Sequence, residues 1–162
     1  RLAEHPFNAA GADRAACAGI IARNVEIKRD VVDADEREGG VRQILNFGHT
    51  IGHAIEAGSD FALGHGSSVA AGMCCMARAA AARGWCAQDV AADIEDAVRA
   101  YGLPTDTSLS HERIVSLMLH DKKRHGDSLN IVVPRAIGVV EIRAVGTQEL
   151  ADLVDLGCGV SR

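Results

Sequence analysis

Residues 42–56 read Arg42-Gln43-Ile44-Leu45-Asn46-Phe47-Gly48-His49-Thr50-Ile51-Gly52-His53-Ala54-Ile55-Glu56. Wound as an α-helix at 100° per residue, this stretch gathers Arg42, Asn46, His49, His53 and Glu56 within about 80° of one another. Ile44, Phe47, Ile51 and Ile55 fall on the opposite side, the side that packs. A solvated helix face is ordinarily built from Lys and Glu with Ala between them. This one carries two histidines, an asparagine and an arginine, and no lysine. It also accepts Gly48 and Gly52, each costing about 1 kcal/mol relative to Ala in a helix interior. Two such costs in one turn point to close approach on the backbone, by a neighbouring helix or by a ligand.

Next comes Leu63-Gly64-His65-Gly66. A histidine between two glycines, just ahead of the next expected helix, is poorly placed for core packing and well placed to reach a site. Imidazole is the commonest protein ligand for zinc, and a pair at i, i+4 can chelate one ion. Taken alone, the residues nominate His49, His53 and His65 as a metal site. Thr50 stands where the H-E-x-x-H motif needs its glutamate, which disfavours a zincin protease.

Outward from this core, alanine and long aliphatic residues dominate, and helix is the default reading. One amphipathic helix is expected over about 13–32, with Ala16, Ile20, Val25 and Val32 apolar, followed by an acidic segment from Asp33 to Glu38 and then Gly39-Gly40. The quoted stretch predicts a second helix from Val41 to Ala57, ended by Gly58-Ser59-Asp60. A third is expected from Ser67, as N-cap, to Arg83, stopped by Gly84. It is apolar on nearly all sides and so belongs in the middle of a bundle. Further helices are expected over Asp89–Tyr101 and Ser110–His120. Leu129 to Pro134 and Ile137 to Ile142 read as two short strands around a turn, and Thr147 with Glu149 opens a last helix. The fold class is mainly α, with a small β-hairpin near the end.

The 162 residues suit one domain, large enough to bury roughly 70% of its unfolded surface without a metal or disulfide staple. Seventeen basic residues against 22 acidic ones give a net charge of −5, with no basic run suited to a phosphate backbone, so nucleic acid is an unexpected partner. No apolar stretch approaches the ~20 residues of a membrane span. Cys17, Cys74, Cys75, Cys86 and Cys158 are odd in number and lack C-x-x-C spacing, which favours reduced thiols and a cytoplasmic setting. The chain opens on Arg1 rather than Met, which suggests a piece of something longer.

The pattern Arg42-x-x-Leu45-Asn46-Phe47-Gly48-His49-Thr50-x-x-His53-Ala54-x-Glu56, followed by His65-Gly66, resembles 3-dehydroquinate synthase and its sugar-phosphate cyclase relatives. Two flanking stretches share the likeness: Lys28 ahead of Val31-Val32-x-x-Asp35-x-Arg37-Glu38-x-Gly40, and Asp121-Lys122-Lys123 ahead of Leu129-x-Ile131-Val132-Val133-Pro134-x-x-Ile137-Gly138. The likeness covers about residues 13–145. It implies that residues 1–162 form the C-terminal helical domain, which carries most metal and substrate groups. The family's N-terminal Rossmann-like half, which binds NAD, is expected to be absent from this chain, which has no G-x-G-x-x-G after a strand. The family's E-x-x-K segment, source of a glutamate zinc ligand and a lysine, is expected just before residue 1.

The implied reaction is the zinc- or cobalt- and NAD-dependent cyclisation of 3-deoxy-D-arabino-heptulosonate 7-phosphate to 3-dehydroquinate, with loss of phosphate, in the shikimate pathway toward aromatic amino acids. The resemblance makes His49 and His65 the metal ligands and His53 an acid/base or hydroxyl partner, a different division from the unaided one. It makes Arg42 and Lys28 anion clamps, Asn46 a hydroxyl partner, Glu38 a site carboxylate, and Lys122 or Lys123 a contact to the anionic end of the substrate. Glu56 closes the stripe as a candidate orienting partner for a histidine. A homodimer is left open, and this segment alone is expected to be inactive.

One departure stands out. Ser67-Ser68-Val69 occupies the place where the family usually has Glu-Ala-Val, which removes a carboxylate one turn from the proposed metal. Alternatives are therefore a related cyclase whose sugar phosphate lacks the acid group, or a non-catalytic helical binding module that kept the fold. A self-contained histidine-metal hydrolase is a third, and it would need no NAD.

Overall fold

An alanine-rich helix, α3 (His65–Ala82), runs through the middle of the computed structural model, which describes residues 14–36, 40–122 and 128–159. Before it come α1 (Arg14–Ala34), a 3-10 helix (Val41–Asn46) and α2 (His49–Gly58). After it come α4 (Gln88–Ala100), α5 (His111–Lys122), the strands β1 (Leu129–Ala136) and β2 (Val139–Val145), and α6 (Thr147–Gly157). The class is mainly α with one antiparallel hairpin, as the sequence indicates.

The central place of α3 follows from its composition. Ala71, Cys74, Cys75, Ala77, Ala79 and Ala80 are fully buried, and α2, α4, α6 and β1 all pack against this helix. Side chains this small let four neighbours approach at once. Around it, Ile51 and Ile55 of α2, Ile114 of α5 and Leu150 and Leu153 of α6 close the main core. Ile131, Val132, Val133 and Pro134 are buried in succession, so β1 is covered on both faces. Leu129 pairs with Val145 and Ile131 with Arg143. The Arg143 guanidinium lies 4.4 Å over the Trp85 ring, an arrangement that favours cation–π attraction.

Several expectations are corrected. The helix expected over Val41–Ala57 is two pieces: the 3-10 turn ends at Asn46, and α2 begins only at His49, because Gly48 takes a left-handed φ of 79°. Helix α3 starts at His65, not after it, and its N-cap is Gly64 rather than Ser67. The Ser68 hydroxyl, fully buried, donates to the Gly64 carbonyl at 2.9 Å. Ile137 belongs to the hairpin turn and is 62% exposed, because Gly138 (φ 80°) turns the chain there. On α1, Val25 is 63% exposed, since the helix meets mainly the 3-10 turn and has no core to cover it. Among the described residues, no helix is long and apolar enough to cross a membrane.

Candidate metal centre

The centre is set by how closely α2 lies on α3. A methyl group on Gly52 would sit 2.9 Å from the Val69 Cα, and one on Gly72 would sit 2.6 Å from the Gly52 nitrogen. The glycines of the quoted stretch therefore serve a neighbouring helix. This contact sets His49 and His53, one turn apart on α2, beside His65 in the first turn of α3. Ring centroids stand 5.4 Å apart for His49–His53 and for His49–His65, and 5.7 Å for His53–His65. One nitrogen from each ring lies within 4.8 Å of the others.

Two of the three rings have a fixed tautomer. His49 Nδ1 lies 3.3 Å from the Phe47 carbonyl oxygen, and His65 Nδ1 lies 3.0 Å from Glu56 Oε2. A carbonyl and a carboxylate only accept, so each Nδ1 donates its proton, and in the neutral ring the lone pair is then on Nε2. That is the state in which imidazole binds a cation, with the other nitrogen held from behind. Zinc–nitrogen bonds of about 2.0–2.1 Å put tetrahedral ligands about 3.4 Å apart. His53 is exposed, so its ring can turn to close that difference while Glu56 keeps its hydrogen bond to His65. The donor set therefore suits a divalent zinc or cobalt ion, in a site open to solvent.

The remaining candidates are unevenly defined. Arg42 and Asn46 sit on the 3-10 helix, ahead of the Gly48 turn, and so are not on one helical stripe with the histidines. The Arg42 guanidinium donates to the Glu36 carbonyl at 3.0 Å. Lys28 is exposed on α1, which packs on the 3-10 helix, and it makes no hydrogen bond or ion pair among the described residues. Glu38 and Lys123 lie outside the described residues; Lys122 closes α5, and its side chain lies outside them too.

Asp35, which the sequence gives no role beyond its place in a flanking stretch of the likeness, has a defined task. Its Oδ2 accepts from the Gly40 N–H at 2.7 Å and the Arg42 N–H at 3.0 Å, pinning the entry to the 3-10 helix. Between α2 and α3, Asp60 and Phe61 both take left-handed φ values of 51° and 63°. That is a rare conformation for an aromatic residue, and Phe61 is 70% exposed in the link between α2 and α3. Periodicity carries no signal for either feature.

The family described as 3-dehydroquinate synthase C-terminal matches residues 2–124, three quarters of the chain. The chain belongs to this family. A 3-dehydroquinate synthase of Lactiplantibacillus plantarum is 38% identical over 148 residues, covering 91% of this chain and 41% of that protein. The one from Pseudoalteromonas atlantica is 41% identical over 133 residues, covering 80% and 36%. The chain thus spans about two fifths of the length of these relatives. Among solved structures, 2-epi-5-epi-valiolone synthase from Streptomyces hygroscopicus subsp. jinggangensis, with NAD+ and Zn2+ bound, matches with TM-score 0.75 at 21% identity, covering 89% of this chain and 41% of that one. A 2-deoxy-scyllo-inosose synthase complexed with carbaglucose-6-phosphate, NAD+ and Co2+ matches with TM-score 0.63 at 22% identity, covering 77% and 37%. At such identities the likeness speaks for the fold, which this chain shares with both synthases.

Proposed function

We propose that this chain is the metal- and substrate-binding domain of a 3-dehydroquinate synthase, a carbon–oxygen lyase that releases phosphate from 3-deoxy-D-arabino-heptulosonate 7-phosphate as the ring closes. In this reading it acts with an NAD-binding domain of Rossmann-like fold that residues 1–162 do not include. The observation that carries the reading is the meeting of three imidazoles, within 4.8 Å of one another, inside the stretch matched by the family.

His49 and His65 would hold the zinc or cobalt ion, their Nδ1 atoms being engaged by the Phe47 carbonyl and by Glu56. When bound, the ion supplies Lewis acidity toward a substrate hydroxyl, and NAD supplies the hydride acceptor and donor. His53, beside the two ligands and exposed, takes and returns the proton of that hydroxyl. Arg42 offers a planar guanidinium to the carboxylate, and Lys28 a compact ammonium to an anionic group of the same substrate. Asn46 both donates to and accepts from a substrate hydroxyl. Glu38 contributes a carboxylate, and Lys122 or Lys123 meets the anionic end. Five free thiols support a reducing, cytoplasmic setting.

The test is phosphate release from the heptulosonate phosphate with NAD and Zn2+. The chain alone is expected to release none. Joined to the NAD-binding half of a dehydroquinate synthase, it is expected to release phosphate, and His53→Ala in the joined protein to abolish most of that release. Faster turnover of a sugar phosphate lacking the carboxylate would make it a related cyclase. Zinc affinity no greater than that of His65→Ala, with no turnover of any sugar phosphate, would leave a non-catalytic module.

A further inference from the structure

We propose that Glu56 is a positioning residue for the metal centre, holding the His65 ring so that its Nε2 faces His49 and His53. The inference rests on the reading of the three histidines as a metal site and adds a residue to it. Glu56 Oε2 lies 3.0 Å from His65 Nδ1, joining the end of α2 to the start of α3. The carboxylate is the more sheltered partner, its side chain 18% exposed against 55% for His65. Among the described residues no lysine or arginine pairs with it.

Its position makes little sense for the helix itself. Glu56 stands two residues before the end of α2 at Gly58, where the last carbonyls gather negative partial charge and a carboxylate is disfavoured. Nor is its backbone waiting for a cap: the Glu56 carbonyl accepts from the Ser59 hydroxyl at 2.9 Å and from the Phe61 N–H at 3.0 Å. Placement thus works against α2 and in favour of His65. A carboxylate behind a metal-binding imidazole fixes the tautomer, orients the ring and raises its basicity, and losing such a partner typically weakens metal binding about 10- to 100-fold.

Cobalt(II) titrated into the full chain tests this, read by affinity and by the visible absorption bands of the bound ion. His65→Ala should lose most binding. Glu56→Ala should bind about 10- to 100-fold more weakly with altered bands, while its thermal midpoint equals or exceeds that of the unsubstituted chain. Glu56→Gln, whose amide oxygen can still accept the Nδ1 proton, should restore the bands and part of the affinity. If Glu56→Ala binds within about twofold of the unsubstituted chain with the same bands, the positioning role is wrong and the metal reading stands. If it loses affinity and thermal midpoint together and Glu56→Gln restores neither, the residue is merely structural. If the unsubstituted chain binds cobalt no better than His65→Ala, the metal reading falls and takes the inference with it.

Discussion

Replacing Gly72 by alanine sets two effects of opposite sign against each other. Gly72 lies in the interior of α3, where alanine is the better helix former by about 1 kcal/mol. Against that, the new methyl would stand 2.6 Å from the Gly52 nitrogen and 3.0 Å from the Gly52 Cα, and it would also press on the Gly48 carbonyl. These are backbone atoms of α2, which cannot turn aside as a side chain can. Relief to ordinary contact requires α2 to move by roughly 1 Å. Overpacking of this kind costs about 1–3 kcal/mol, and a rigid partner argues for the upper end. The expected net loss is about 2 kcal/mol, or about 4–8 °C in midpoint for a chain of this size. The same shift carries His49 and His53 away from His65, so zinc affinity should fall with stability. Urea unfolding and calorimetric zinc titration measure the two losses. Gly19→Ala on α1, where a methyl meets nothing within 4 Å, provides the control and should be neutral or stabilising. A Gly72→Ala chain as stable as the parent would refute the claim that α2–α3 contact sets the site.

Arg78 reaches the Gly157 carbonyl at 2.8 Å, the Thr105 carbonyl at 3.0 Å and Glu95 at 3.0 Å, with Asp106 at 3.3 Å. Arg78→Met removes the cation that joins these groups and should cost about 3–5 kcal/mol in urea unfolding; a loss under about 1 kcal/mol would show the network to be uncoupled. Burial pushes the Cys74 thiol up from 9.0 to about 12. The folded chain therefore holds a proton that the unfolded chain loses, so stability should fall as pH rises from 9.0 toward about 12, by up to about 1.4 kcal/mol per unit. Cys74→Ala should flatten that fall, and an unchanged slope in alkaline titration would contradict the assignment. The Arg83–Asp152 pair is close, at 2.8 Å, yet both side chains are a third or more exposed. Asp152→Asn should shift the thermal midpoint by no more than about 1 kcal/mol would, and a larger drop would mean that the pair is better shielded than its exposure indicates.

What the sequence disclosed, and what it hid, divides along the range of the interactions. Helix α3 is legible because its alanines, cysteines and methionines leave no polar face, which only a central position satisfies. Its start is misread by three residues, because Ser67 has the chemistry of an N-cap, whereas Gly64 has the backbone freedom that the sharp entry needs (φ 77°). The break between the 3-10 helix and α2 is hidden for another reason. Apolar residues fall on one side of residues 42–56 whether or not the helix is continuous, so periodicity cannot detect one residue turning left-handed. Contacts such as Arg78 with Gly157, 79 residues apart, have no local signature at all.

The histidines show where the two regimes meet. Their i, i+4 pair on α2 is a local fact, and the third ring is not. His65 reaches them only because Gly48, Gly52 and Gly72 let two backbones lie closer than any Cβ would allow. Two of these glycines were readable as signs of close approach, though not of what approaches. The residues alone nominate all three histidines, the resemblance to a known family divides their roles, and geometry supplies the reason for the glycines. A site of this kind is therefore specified twice in the sequence, once by the residues that bear the chemistry and once by the missing side chains that let them meet.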